Sequence, residues 1–238
     1  MKKAIIVGAT SGIGRALATI LASNNYLVGV TGRRKNLLEE LKSERPKNIA
    51  ISDFDITNSF EATKKFDALV NELGGLDLLV LSAGIGDINE ALDFILEKNT
   101  INTNVLGFTE IADWTFNYFQ KQKSGHFVAI TSIAGIRGSR QAPAYNATKA
   151  FQINYLEGLR QKAKKLSLPI FVTDIRPGFV DTAMAKGEAK FWISTLEKTS
   201  KQIYKAIENK KSVAYITKRW EIVALVLKFI PRRIYAQL

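Results

Sequence analysis

Short apolar, β-branched runs alternate with longer amphipathic stretches along this whole chain. Runs near residues 3–7, 26–31, 48–53, 76–82, 125–132, 169–175 and 212–216 read as strands. Between them apolar positions recur at helical spacing and predict helices near 12–24, 35–43, 58–73, 89–122, 143–166, 195–210 and 219–230. Gly74-Gly75, Ser124-Gly125 and Pro169 punctuate the alternation, with no internal repeat, linker or low-complexity tract. The pattern predicts one α/β domain over 1–238: a doubly wound, mostly parallel seven-stranded sheet with helices on both faces.

The first strand runs straight into a glycine turn, Gly8-Ala9-Thr10-Ser11-Gly12-Ile13-Gly14, and then into a helix with Ile13, Leu17, Ile20 and Leu21 at helical spacing. Strand, glycine turn and helix start together make a phosphate site, because glycines let the backbone approach and the helix N-terminus offers unpaired N–H groups and partial positive charge. The spacing Gly8-x3-Gly12-x-Gly14 differs from the G-x-G-x-x-G of the best-known dinucleotide fold.

Chemistry is written most plainly further on. Tyr145 and Lys149 stand four residues apart, so on a helix they project from one face. A free tyrosine titrates near pH ~10, and a cation within a few ångströms lowers that value and makes the phenol a better general acid/base. Ser132, thirteen residues before Tyr145 at the end of an apolar run, offers a hydroxyl to hold a carbonyl oxygen against the phenol.

With these landmarks in this order, the sequence resembles the short-chain dehydrogenase/reductase family over nearly its whole length. The matching residues are Gly8, Gly12 and Gly14; Asp55-Ile56; Leu81-Ser82-Ala83-Gly84; Asn104; Ser132, Tyr145 and Lys149; and Arg176-Pro177-Gly178-Phe179-Val180-Asp181-Thr182. The resemblance implies a Rossmann-like fold and hydride transfer between a nicotinamide cofactor and a carbonyl or secondary alcohol. It makes Tyr145 the acid/base, Ser132 the group that polarises the oxygen, and Lys149 the neighbour that lowers the phenol's pKa and binds the nicotinamide ribose. Asn104 would hold a water linking Lys149 to bulk solvent. Thr10, Ser11 and Ile13 fall in the phosphate turn, Asp55 and Ile56 border the adenine, Ser82, Ala83 and Gly84 lie beside the cofactor, and Pro177, Gly178, Val180 and Thr182 belong to the carboxamide side. The family usually has Asn where this chain has Ser82, which implies locally rewired hydrogen bonds. The resemblance also implies a homodimer or homotetramer paired through helices at about 100–122 and 143–166, with Trp114, Phe116, Phe119, Phe151 and Tyr155 available for the contact, although core packing explains several of them equally well. A protein kept only as a cofactor-binding sensor or scaffold would have lost one of the four catalytic positions, and none is lost.

Composition narrows the chemistry. With 238 residues, 46% apolar and 24% charged, the chain fits one globular domain. It has no cysteine, so disulfides, thiol nucleophiles and thiolate metal sites are excluded. The single His126 excludes a His-rich metal site, and its place at the start of the fifth strand reads as a solvated strand end. Ala4 to Val7 is too short for a signal-peptide core, so a cytoplasmic location is expected.

Charge then argues for one cofactor over the other. The second strand ends Gly32-Arg33-Arg34, with no carboxylate to bind the ribose 2′-hydroxyl of NAD. Guanidinium groups pair well with a 2′-phosphate, so NADP is favoured over NAD. In the family the substrate pocket is walled by residues 133–144 and a lid over 178–200, which here brings in Ala134, Gln141, Phe179, Met184 and Trp192, with Phe191 close by. Those aromatic and thioether side chains suit an apolar substrate, and equally a lid packed onto the body of the protein. Arg137, Arg140 and Lys186 are the cations within reach of an acidic one.

The net charge is +12, and residues 201–238 carry nine Lys or Arg against Glu208 and Glu221. The apolar stretch 222–227 is far too short for the ~20 residues that span a bilayer. Its first part reads as a helix packed on the protein, while 229–238, with basic flanks, also suits peripheral contact with an anionic membrane. Such contact would make a lipid-like ketone the natural substrate. No nucleic-acid motif accompanies the charge.

Overall fold

The computed structural model describes residues 1–183 and 191–237, without the side chains of 59 and 60. Seven strands form one sheet: β1 (Lys2–Val7), β2 (Tyr26–Gly32), β3 (Ile49–Asp53), β4 (Leu78–Leu81), β5 (Gly125–Ile130), β6 (Ile170–Pro177) and β7 (Val213–Ile216). Their order is β3-β2-β1-β4-β5-β6-β7, and every neighbouring pair is parallel. Parallel strands need crossovers, and the intervening helices supply them on both faces: α1 (Gly12–Ser23), α2 (Lys35–Glu44), α3 (Ser59–Leu73), α4 (Phe94–Ile101), α5 (Phe108–Gln122), α6 (Pro143–Leu166) and α7 (Leu196–Glu208). Beyond β7 come α8 (Arg219–Phe229) and α9 (Arg232–Tyr235).

Side chains of one strand point alternately to the two faces, and two cores result. Ile5, Val7, Leu79, Leu81 and Phe127 pack under α3, α5 and α6, whereas Ala4, Ile6, Val80 and Val128 pack under α1 and α7. The strand order turns back between β1 and β4, with Val7 level with Leu81, so the crevice of an open α/β sheet falls beside the glycine turn.

Three departures from the sequence reading have physical causes. The helix expected over 89–122 starts only at Phe94, because Asn89 closes a loop on Asp93, accepting from its N–H at 2.9 Å, and Asp93 then caps the helix by accepting from Ile95 N at 2.8 Å. The same helix winds as a π turn over Asn102–Gly107, where Gly107 comes so close to Ile56 that a Cβ would lie 2.8 Å from the Ile56 carbonyl oxygen.

The third departure is His126, which is not solvated: it is 8% exposed. Its Nε2 lies 2.7 Å from Thr173 Oγ1, whose own proton is committed to the Lys211 carbonyl at 2.5 Å, so Nε2 carries the hydrogen and donates. Burial, with Lys210 and Lys2 nearby, pushes the imidazole down to about 4. A depressed histidine contributes its full stability above its unfolded value of ~6.5 and loses it as pH falls from there toward the folded value. Between pH 7 and pH 5, His126→Gln should therefore lose roughly 2 kcal/mol less stability than wild type in urea titrations. Equal losses would refute the assignment.

Candidate active site

The carboxyl ends of the strands open into a cleft of ≈ 1460 Å³. Gly8, Thr10, Ser11, Gly12 and Ile13 line one end of it. Gly8 has φ +88°, and a Cβ there would sit 2.6 Å from Ala83 N; a Cβ on Gly14 would sit 2.1 Å from the Gly8 carbonyl oxygen. Only glycine allows this coil, which draws the backbone against β4 and directs the start of α1 into the cleft. No side chain caps α1: the hydroxyl of its N-cap, Ser11, accepts instead from Arg34 Nη2 at 2.8 Å. A backbone cradle that any side chain would fill, at a helix end left open and beside two guanidinium groups, fits a dinucleotide pyrophosphate.

Arg34 lies across this turn, donating also to Thr10 Oγ1 at 2.6 Å through Nη2. Arg33 reaches the other way, to Asp55 Oδ2 at 3.4 Å. Both arginines, Asp55 and Ile56 line the cleft, as do Ala83, Gly84, Pro177, Gly178, Val180 and Thr182. Ser82 lines it too and makes no side-chain hydrogen bond to a described residue; its Oγ would stand 3.2 Å from a Cβ on Gly14. Gly14 itself is buried in α1 behind the turn.

Ser132, Tyr145 and Lys149 line the centre of the cleft. Ser132 follows β5 and caps a short 3₁₀ turn, its Oγ accepting from Ala134 N at 3.1 Å. Asn146 ties that turn to α6 by donating to the carbonyls of Ala134 at 2.9 Å and Arg137 at 2.8 Å. Facing them, Gly86 gives the Tyr145 ring its room, since a Cβ there would stand 2.2 Å from Cδ2. Burial pushes the phenol's pKa up, and the Ser132 hydroxyl, within hydrogen-bonding reach, opposes it.

Lys149 is on the same helix face as expected, with Nζ 5.8 Å from the Tyr145 ring centroid, but it turns inward. It donates to the Ile130 carbonyl at 3.1 Å and to Gln152 Oε1 at 3.0 Å. So burial, and not the ammonium, dominates the phenol. Burial also brings Lys149 down to about 8, against the opposing pull of Asp174. Asn104 is fully buried just behind the cleft wall; its side chain accepts from Ile85 N at 3.0 Å and donates to the Ile85 carbonyl at 2.7 Å, pinning the segment after β4.

Under this group lies a buried ionic network that sequence reasoning missed. Asp174 accepts from Arg176 at 2.7 Å (Nε) and 2.6 Å (Nη2) and from Thr131 Oγ1 at 2.5 Å, and Arg176 donates on to Tyr215 Oη at 2.9 Å. Its signal was an Asp-x-Arg at the end of a strand otherwise apolar.

The far end of the cleft is largely apolar. Ala134, Gln141, Phe179 and Phe191 line it, with Trp220, Val223 and Leu227 from α8 and Tyr235 from α9. Gly178 lets the indole of Trp220 come down on the chain, for a Cβ would fall 1.9 Å from Cε2. Trp220 meets Phe179 at 5.6 Å and Phe191 at 5.1 Å between ring centroids. Trp192 does not line the cleft: it packs on the outside of Phe191 and Trp220 with Arg219 over its ring. Met184 and Lys186 lie outside the described residues. Arg137 is committed to α8, donating to the carbonyls of Leu227 and Ile230 at 3.1 Å each and stacking on Tyr235. The C-terminal helices are thus a wall of the cleft, which no motif announced.

A family model described as short chain dehydrogenase matches residues 2–191. An uncharacterized oxidoreductase of Myxococcus xanthus is 34% identical over 188 residues, covering 77% of this chain and 74% of its own. Among solved structures, a short chain dehydrogenase/reductase from Burkholderia phymatum in complex with NAD aligns with a TM-score of 0.85 at 19% identity, covering 94% of this chain and 92% of that one. The closed form of a serine dehydrogenase complexed with NADP+ aligns with a TM-score of 0.78 at 26% identity, covering 86% and 88%.

Proposed function

The chain belongs to the short chain dehydrogenase family and is a short-chain dehydrogenase/reductase enzyme, and from that premise we propose that it uses NADP to reduce an apolar, lipid-like ketone to a secondary alcohol. One observation carries the reading: Tyr145, Ser132 and Lys149 line the same cleft as the glycine turn and the Arg33-Arg34 pair. The cofactor, when bound, supplies the hydride. Gly8 to Ile13 would hold its pyrophosphate, Arg33 and Arg34 its 2′-phosphate, and Thr182 with the backbone near Val180 its carboxamide.

This chain's residues do the rest. Ser132 donates a hydrogen bond to the substrate oxygen and fixes it beside the phenol. Tyr145 passes its proton to that oxygen as the carbonyl becomes an alcohol, and takes one back in the reverse direction. A phenol kept neutral by burial is already in the protonation state that reduction requires. Lys149, behind it, places a cation where phenolate charge develops. A silent NADP-binding sensor is the weaker reading, because all four catalytic positions are retained.

NADP preference rests on the two guanidinium groups, with Asp55 held by Arg33 and its carboxyl kept below the usual carboxylate range, chiefly through hydrogen bonds from Thr57 against the pull of burial. We expect NADPH to give the higher kcat/KM over a panel of ketones. Replacing both Arg33 and Arg34 by Ser should lower that value by roughly 10- to 100-fold, the worth of one or two charge-assisted hydrogen bonds, and leave NADH nearly unaffected. A wild-type preference for NADH sinks the assignment.

We place the enzyme in the cytoplasm, against a membrane surface. Trp220 and Ala224 alone are buried in α8, while Ile222, Leu225, Val226 and Phe229 face outward, Phe229 at 77% exposure, among Lys218, Arg219, Lys228, Arg232 and Arg233. None of the described helices is long and apolar enough to cross a membrane. Leu225→Gln with Phe229→Gln should cut sedimentation with phosphatidylserine vesicles by tenfold or more; equal binding would retire the idea. Ile101, Leu106 and Phe151, exposed on helices α4 to α6, support a homodimer or homotetramer, whereas Phe116 and Phe119 belong to the core.

A further inference from the structure

Gln152 lies one turn beyond Lys149 on α6 and is 1% exposed. Both ends of its amide are used: Oε1 accepts from Lys149 Nζ at 3.0 Å, and Nε2 donates to the carbonyl oxygen of Asn104 at 2.9 Å. The resemblance gives the connection between Lys149 and Asn104 to a water. We propose that Gln152 takes that water's place in this chain and is a positioning residue for Lys149, tying its amine to the π turn at Asn104 and holding it charged beside Tyr145.

The geometry favours a clamp over a relay. A water can take a proton on one side and release one on the other, whereas a carboxamide does so only through its unfavourable imidic acid form. What the amide can do is accept from an ammonium, which stabilises the charged state of a lysine whose proton affinity burial lowers. It is also fixed at both ends, so it sets where the ammonium stands. Among the described residues, the ionisable groups facing that amine are Tyr145 on α6 itself and Asp174 on β6, already paired with Arg176. The π turn Asn102–Gly107 and the 3₁₀ turn Ile133–Ile136 bring none.

The test needs no substrate, so its failure is distinct from failure of the proposed reaction. Protein carrying [ε-13C]lysine is titrated by NMR, with Lys149→Met identifying the resonance. Gln152→Met keeps the length of the side chain and removes the acceptor; it should lower the Lys149 midpoint by half a pH unit or more, about a threefold loss of proton affinity. Gln152→Glu keeps an acceptor and makes it anionic, and should raise the midpoint by at least as much. A residue that merely fills space would not give shifts of opposite sign. Midpoints unchanged in the Met variant, or moving the same way in both, overturn the proposal. Should the Met variant fail to fold, Gln152→Leu replaces it under the same criterion.

Discussion

Tyr145→Phe should bind NADPH as wild type does, within about twofold by fluorescence titration, and lose 10²- to 10⁴-fold in turnover, the span of a positioned general acid. The ring stays, so the packing of Gly86 against its edge is undisturbed; only the hydroxyl that meets Ser132 is gone. Substrate would still dock against Ser132, and the shortfall should appear in kcat with little change in KM. Turnover within tenfold of wild type would remove Tyr145 as the proton donor and leave Ser132, or a water in the cleft, to be examined in its place.

The second large effect is on stability. Asp174 is 0% exposed, and its removal leaves the Arg176 guanidinium buried against Tyr215 without its counter-charge. Breaking such a pair from one side costs about 3–5 kcal/mol, so Asp174→Ala should lower the melting temperature by about 10 °C. Asp174→Leu combined with Arg176→Met removes both charges and should regain most of that loss, because a well-packed apolar pair replaces an ionic one at little cost. If the single variant melts within 2 °C of wild type, as calorimetry would show, the network contributes nothing. The charge reaches the active site as well: Asp174 helps Lys149 keep its proton, so in Asp174→Ala Lys149 should titrate lower still.

Much of the fold was legible because buried parallel strands leave continuous apolar runs, and each run fell within a few residues of a strand. Ser132, Tyr145 and Lys149 were legible as a group because their helical and strand-end positions bring them to one wall. Other features carry no local signature. A π turn at Asn104 has the same apolar spacing as the α-helix around it. His126 stands in a strand whose neighbours are decided only by sheet order, so nothing near it in the sequence announces burial under Phe171 and Thr173. Gln152 looks like a solvated polar residue on a long helix until the π turn is seen to reach it. The inward turn of Lys149 could not be foreseen from the i, i+4 rule, which places two side chains on one face and says nothing about which acceptors wait beneath them. Trp220 meets Phe179 across forty residues of chain, and only the folded form shows the contact.

The pocket wall built by Trp220, Val223, Leu227 and Tyr235 belongs to a part of the chain beyond residue 191, where the shared family segment stops. The residues that carry the proposed chemistry and part of the wall that would face a substrate therefore lie on separate stretches of this chain. On the proposed reading, exchanging residues 219–238 for those of a relative should alter which ketones are reduced and leave the hydride exchange itself intact, as kcat/KM over a ketone panel would show.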